Sequence, residues 1–270
     1  MRRRDFIGLI GGAAAIPISA RAQRAPLPLI GFMKIGRLVS PDIIRGLADN
    51  GLIEGRDFRT EYRWSEFEPQ RLPAHAQDLV EQKSAIILTL THAAALAAKA
   101  ATRSTPIVFL AGADPVAVGL VESLNRPGGN ATGFTTLGYD LIAKRVEVIR
   151  ELAPSAKSVA YMRSLADPAT IAGETREIET AARALNLQLI MADANNPAEV
   201  EKTFIRLVND GAQALVVSGA FVFFASRDQL AGLSISYKIP AIYPTRHYVD
   251  SGGLVSFGTH VPDGLYLMGV

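Results

Sequence analysis

The stretch "GLVESLNRPGGNATGFTT" (119–136) decides how the chain is read. Its two adjacent glycines, Gly128 and Gly129, follow a helix-like run over 116–125 and precede a strand-like run. A phosphate-cradling glycine loop has the opposite order. It follows a strand and opens a helix, so that backbone N–H groups meet the anion. The chain also lacks a Walker lysine pattern. "RPGGN" (126–130) therefore reads as a tight turn, with Gly128 or Gly129 at positive φ.

On both sides of this turn, short apolar runs alternate with helical spacing. Before it, strands are predicted at 27–33, 58–64, 85–91 and 107–112, and helices at 41–51, 69–82 and 93–102. After it, strands are predicted at 158–162, 187–192, 214–219, 241–244 and 252–258. The helices that separate them are predicted at 141–153, 169–186, 197–210 and 227–236. Continuous apolar strands such as "AIILTLT" (85–91) suit a parallel sheet buried on both faces. Strands alternating with helices imply crossover connections. About nine strands with a break in phase near 130–140 imply an α/β protein of two lobes with parallel sheets.

The first residues carry a different signal. "MRRRDFIGLIGGAAAIPISARAQ" (1–23) has a basic start, a mild apolar run and small residues before a cut after about Ala22. That is the layout of an export signal. Arg3, Arg4 and Phe6 fit the twin-arginine pattern. The segment holds four of the 28 basic residues and one of the 26 acidic ones, leaving 24 against 25, net −1. The mature chain thus lacks the basic excess of a nucleic-acid binder. With no cysteine there is no thiolate nucleophile, disulfide or thiolate metal site.

Ligands of parallel α/β sheets meet the carboxyl ends of the strands. The candidate ligand-binding residues are therefore those just past predicted strands: Met33 and Lys34, Thr91 and His92, Asp114 and Pro115, Arg163 and Ser164, Phe221, and Tyr243. Each has a plainer reading beside it. Asp114-Pro115 also suits a helix start, His92 also suits a polar surface group, and Phe221, Phe223 and Phe224 also suit a core. The four histidines have no ligand spacing, so no metal or cofactor is expected. No nucleophile elbow or paired carboxylates stand out, which points away from an enzyme.

Several stretches together resemble a known family. They are "EYRW" (61–64), "LAAKAATRSTPIVFLAGADPVAVGLVESLNRPGGNATG" (96–133), "AKRVEVIRELAP" (143–154), "RDQL" (227–230) and "IPAIY" (239–243). They resemble the ABC-transporter substrate-binding proteins of the tryptophan/tyrosine-binding type. The resemblance implies a type I periplasmic binding-protein fold, two Rossmann-like lobes joined by three hinge crossings and closing on a small ligand. It implies a first crossing at 131–136 and a second at 252–258, with Gly133, Phe134, Thr135, Val255 and Ser256 in the hinge. The lobes would then be 23–135 plus 253–270, and 136–252.

The chain departs from the pattern where His92-Ala93 replaces Thr-Pro, Arg163-Ser164 replaces Asn-Pro, and Ala220-Phe221 replaces Asp-Pro. The last change removes a carboxylate that could pair a ligand ammonium. The first helix looks short, and the family pattern continues past Val270, so a C-terminal truncation with the last hinge segment missing is expected. The function implied is an exported, periplasmic solute-binding component of an ABC importer, taking a small amino-acid-like or carboxylate ligand. Its partners would be a permease, an ATPase and, during export, the twin-arginine translocase. A periplasmic sensor module and an exported α/β hydrolase are the alternatives.

Overall fold

The computed structural model describes residues 26–36, 41–136, 141–166 and 168–270. The leader, with Arg3, Arg4 and Phe6, lies outside the described residues.

The first lobe is built on a five-stranded parallel sheet. Its strands are β1 (Leu29–Lys34), β2 (Arg59–Trp64), β3 (Ile86–Thr89), β4 (Ile107–Ala111) and β5 (Ala131–Thr135), in the order β2-β1-β3-β4-β5. Strand alternation divides its side chains between two cores. Met33, Ile87, Ile107 and Phe109 pack with helices α2 (Leu72–Glu81) and α3 (His92–Ala101) on one face. Ile30, Phe32, Leu88 and Leu110 pack with Ile43 and Leu47 of helix α1 (Pro41–Asp49) on the other. Ala94, Ala95 and Ala98 let α3 approach its sheet closely.

The second lobe repeats the plan. Its strands are β6 (Ser158–Arg163), β7 (Gln188–Asp193), β8 (Leu215–Val217), β9 (Ala241–Tyr243) and β10 (Val255–Ser256), in the order β10-β9-β8-β6-β7. Counted within each lobe, both sheets have the order 2-1-3-4-5, all parallel. Helices α4 (Ile142–Leu152) and α5 (Pro168–Ala184) cover the face carrying Val159 and Tyr161. The opposite face, with Ala160 and Met162, meets α6 (Pro197–Asn209), α7 (Phe221–Ala225), α8 (Arg227–Ser236) and Tyr248 of α9 (Arg246–Asp250).

The helix predicted over 116–125 is absent. Residues 115–119 form turns instead. Leu120 N–H bonds the Pro115 carbonyl, and Glu122 and Ser123 N–H groups bond the Pro127 and Arg126 carbonyls across a turn that precedes the glycines. Those bonds consume the donors a helix would need. Gly128 has the positive φ expected, +77°, but the bonded turn lies at Ser123–Arg126, and the chain only bends at Gly129 and Asn130. Asn130 anchors that bend, donating from Nδ2 to the Thr102 and Thr105 carbonyls at 3.1 and 2.8 Å. β5 then pairs with β4, and at Gly133 a Cβ would overlap the Phe109 carbonyl oxygen.

Past β5 the chain runs to α4 of the second lobe. It returns after β10 to helix α10 (Val261–Leu267), which packs on α1 of the first lobe. Tyr266 OH bonds Asp49 at 3.1 Å, and the Arg45 guanidinium lies over the Tyr266 ring. Val255–Ser256 pair with β9 in the second sheet, beyond the boundary at 252/253 that the sequence reading drew.

Candidate functional site

The carboxyl ends of the two sheets face each other across a cleft containing two adjoining cavities. Ile35, Leu90, Gly112, Thr136, Gly219 and Phe221 line both, so they form the shared wall. Every one of these six residues except Phe221 lies within three residues of a strand's carboxyl end, the place the strand-end rule predicts.

The outer cavity has a volume of about 180 Å³. Thr91 and His92 enter it from the β3–α3 junction, Ser164 and Ala166 from the end of β6, and Asn195 from the end of β7. Thr170 and Glu174 of α5 and Phe67 complete its rim. Its polar groups mostly hold the loops. Thr91 caps α3 by accepting from Ala94 N–H at 3.2 Å. Asn195 Oδ1 accepts from Leu165 N–H at 2.7 Å and lies 3.3 Å from Ser164 Oγ. His92 is 2% exposed. The Tyr161 hydroxyl pKa is pushed well up, first by burial and then by the nearby Glu174 carboxylate.

Phe67 and its neighbour Glu66 sit at φ +66° and +52°. Left-handed backbone at such residues costs on the order of 1–2 kcal/mol each. The conformation places Phe67 of the first lobe against Phe221 of the second, with ring centroids 6.0 Å apart. Phe221 also packs where a side chain at Gly36 would otherwise stand.

The hinge-side cavity is larger, about 350 Å³. Lys34, at the end of β1, is 3% exposed and lies over the Phe32 and Tyr62 rings at 5.8 and 5.7 Å from their centroids. Burial lowers its pKa to about 8. Arg145 of α4, 2% exposed, donates from Nε to the Phe257 carbonyl at 2.8 Å and so ties α4 to the returning chain. Burial weighs against its charge as well. Thr245, His247 and Tyr248 line the same cavity. Each keeps a buried polar atom (Oγ1, Nδ1 and OH) with no hydrogen-bond partner. Phe221, Phe224, Leu110, Val261 and Leu265 supply apolar wall.

The structure thus brings Thr91, His92, Ser164 and Phe221 together in the outer cavity, and Lys34 and Phe221 in the hinge-side one. The other candidates line neither. Strand alternation sends Met33 to the opposite face from Lys34, into the α2–α3 core. Asp114 Oδ1 accepts from Val116 and Ala117 N–H, capping a turn rather than the predicted helix, and Pro115 lies in that turn. Arg163 pairs with Asp193 at 2.8 Å and bonds Thr175. Tyr243 is fully buried, its hydroxyl 2.8 Å from Ser234 Oγ and its ring stacked on Tyr248. Gly133, Phe134 and Thr135 end the first sheet, and Val255 and Ser256 end the second.

Asn195 and Thr245 follow strands and were within reach of the same rule. Glu174 and Arg145 lie inside helices and give no such signal. Among the described residues, no group of three His, Cys, Asp or Glu side chains could hold a metal, and no helix is long and apolar enough to cross a membrane.

Residues 38–264 match the family model described as ABC transporter substrate binding protein. The match spans well over half of the chain, and the chain belongs to that family. A curated relative, the tyrosine-binding protein of Clostridioides difficile strain R20291, is 26% identical over 80% of this chain, which spans 61% of that relative's length. Among solved structures, a conserved domain protein of Vibrio cholerae is similar at a TM-score of 0.78 and 21% identity, covering 90% of this chain and 82% of its own. The ABC domain of a Streptococcus pneumoniae protein in complex with L-Trp is similar at 0.75 and 21%, with the same coverages. The fold is that of the type I periplasmic binding proteins.

Proposed function

We propose that this protein is the exported solute-binding component of an ABC importer and that it captures a small molecule between its two lobes. The observation that carries the reading is the pair of adjoining cavities, lined from both lobes by loops past the strands' carboxyl ends. Family membership supports it. Binding is the work of this site, and turnover is not. The permease and ATPase would read the closed form. The N-terminal leader would direct export to the periplasm by the twin-arginine route.

The lobes move about the two crossings, with Gly133–Thr135 and Val255–Ser256 as the hinge strands. The ligand-contacting residues in this reading are Lys34, Thr91, His92, Ser164 and Phe221, joined by Asn195, Thr245 and His247. Thermal-shift and calorimetric titration with amino acids and small carboxylates test it. A bound solute raises Tm as the logarithm of its concentration once that exceeds Kd, and solution scattering should show a smaller radius of gyration as the lobes close. Folded protein that responds to no small molecule would sink the proposal.

A further inference from the structure

The hinge-side cavity contains more polar demand than the fold satisfies. Tyr248 is 1% exposed, and its hydroxyl has no partner. Thr245 begins α9 without making a side-chain cap, and its Oγ1 is equally unmet. His247 Nδ1 is the third such atom. Buried polar atoms without partners cost about 1–3 kcal/mol each and are rare without a function. Two cations, Lys34 and Arg145, line the same volume. Among the described residues the acid that lines it is Asp42, which lies 3.1 Å from Arg45. Glu174, the acid of the outer cavity, lies close enough to Tyr161 and Arg145 to shift both. A ligand ammonium placed beside Lys34 would therefore meet like charge, whereas an anion would meet a cation and hydroxyl donors. The remaining wall is aromatic and aliphatic.

We propose that the hinge-side cavity takes the anionic head of the solute, and that the solute is a monocarboxylate with an apolar body and no ammonium group. This rests on the solute-binding reading above. Lys34 supplies the charge, Tyr248 and Thr245 donate hydroxyl hydrogens to the carboxylate oxygens, and Phe221 and Phe224 cover the apolar body. Among the described residues, the titratable and charged groups that line the cavity with Lys34 are Asp42 of α1, Arg145 of α4, and His247 and Tyr248 of α9, and Tyr62 of β2 lies under its ammonium. Burial has brought Lys34 to about 8, and an anion beside it draws a proton back on.

The test is calorimetric titration of the whole chain at pH 7 with hexanoate, 3-phenylpropanoate and 4-hydroxyphenylacetate. Their primary amides are run in parallel, together with leucine, phenylalanine and tyrosine. We expect an acid to bind at least ten-fold more tightly than its amide and its α-amino counterpart. The Lys34→Met variant should erase the acid-over-amide preference, and Tyr248→Phe should reduce it. Equal affinity for acid and amide in the native chain, or an acid preference that survives Lys34→Met, would overturn this inference and leave solute binding standing. Tighter binding of the amino acids than of the plain acids would overturn it as well. Binding of none of the panel would count against both readings. Because the comparison of acid with amide uses the native chain, it holds even if a variant fails to fold.

Discussion

The two halves of the cleft share a wall but differ in how their polar groups are employed. In the outer cavity Thr91 caps a helix, while Ser164 and Asn195 hold the loops after β6 and β7. In the hinge-side cavity Thr245, His247 and Tyr248 each leave a buried atom unmet beside a buried lysine. The outer half spends its polarity on its own scaffold. The inner half keeps its polarity available, at a cost in stability that a bound solute can return. This is the pattern expected where a site is built for a ligand rather than for the fold.

The comparison can be broken or sharpened by substitution. The largest effect should come from the shared frame. Gly133→Val puts a side chain into the Phe109 carbonyl and forces β5 off β4, just before Thr136, which lines both cavities. We expect a loss of more than about 4 kcal/mol, or no folded protein, by urea denaturation. A stable variant would mean that the close packing of the first crossing does not matter.

Next in size is Lys34→Met. The fall of its pKa from 10.5 to about 8 corresponds to about 3 kcal/mol at about 1.4 kcal/mol per unit. Below pH 8 the lysine is charged in both states, and the folded protein bears the whole cost. Between pH 8 and 10.5 the unfolded chain still holds a proton that the folded one has released, so native stability rises with pH. Lys34→Met should therefore be more stable than the native protein at pH 7 by about 3 kcal/mol, an advantage that shrinks to nothing above 10.5. Denaturation series at pH 7 and 10 measure it. A lysine that contributes no such cost would remove the contrast between the halves.

A matched pair of tyrosines gives a smaller effect. Tyr243 OH lies 2.8 Å from Ser234 Oγ, so Tyr243→Phe should cost about 1 kcal/mol. The hydroxyl of Tyr248, stacked on the same ring, is unmet, so Tyr248→Phe should be neutral or stabilising without solute. Equal losses for the two would show that Tyr248 already has a partner. Smallest of all, Ser164→Ala in the outer half should cost about 0.5–1 kcal/mol through its weak contacts with Asn195 Oδ1 and Ala166 N–H.

Much of this was legible in the sequence, for reasons that can be named. The long elements have strong local periodicity, and α1, α3, α4, α5, α6 and α8 all formed within a few residues of their predicted spans. The positive φ at Gly128 was legible because it is a demand local to one residue. The helix over 116–125 was a misreading, because bonds across the turn from Glu122 to Pro127 outcompete helical ones. The five-residue helices α7 and α9 were invisible because helices that short form only when packed. At the site, Lys34, Thr91, His92 and Ser164 could be found because they follow strands. Arg145, Glu174 and Tyr248 could not, because their place in the cleft exists only once two lobes far apart in sequence face each other. Met33 and Tyr243 were named one position too generously, since pleating turns neighbouring residues to opposite faces.

The most direct test of the hinge-side cavity as the charge-reading half is proton linkage. The native chain is titrated at pH 8 with the tightest-binding monocarboxylate in two buffers of different ionisation enthalpy. With Lys34 at about 8, we expect uptake of about half a proton per anion bound, and none in Lys34→Met. Saturable binding with no proton uptake, or the same uptake in Lys34→Met, would contradict it.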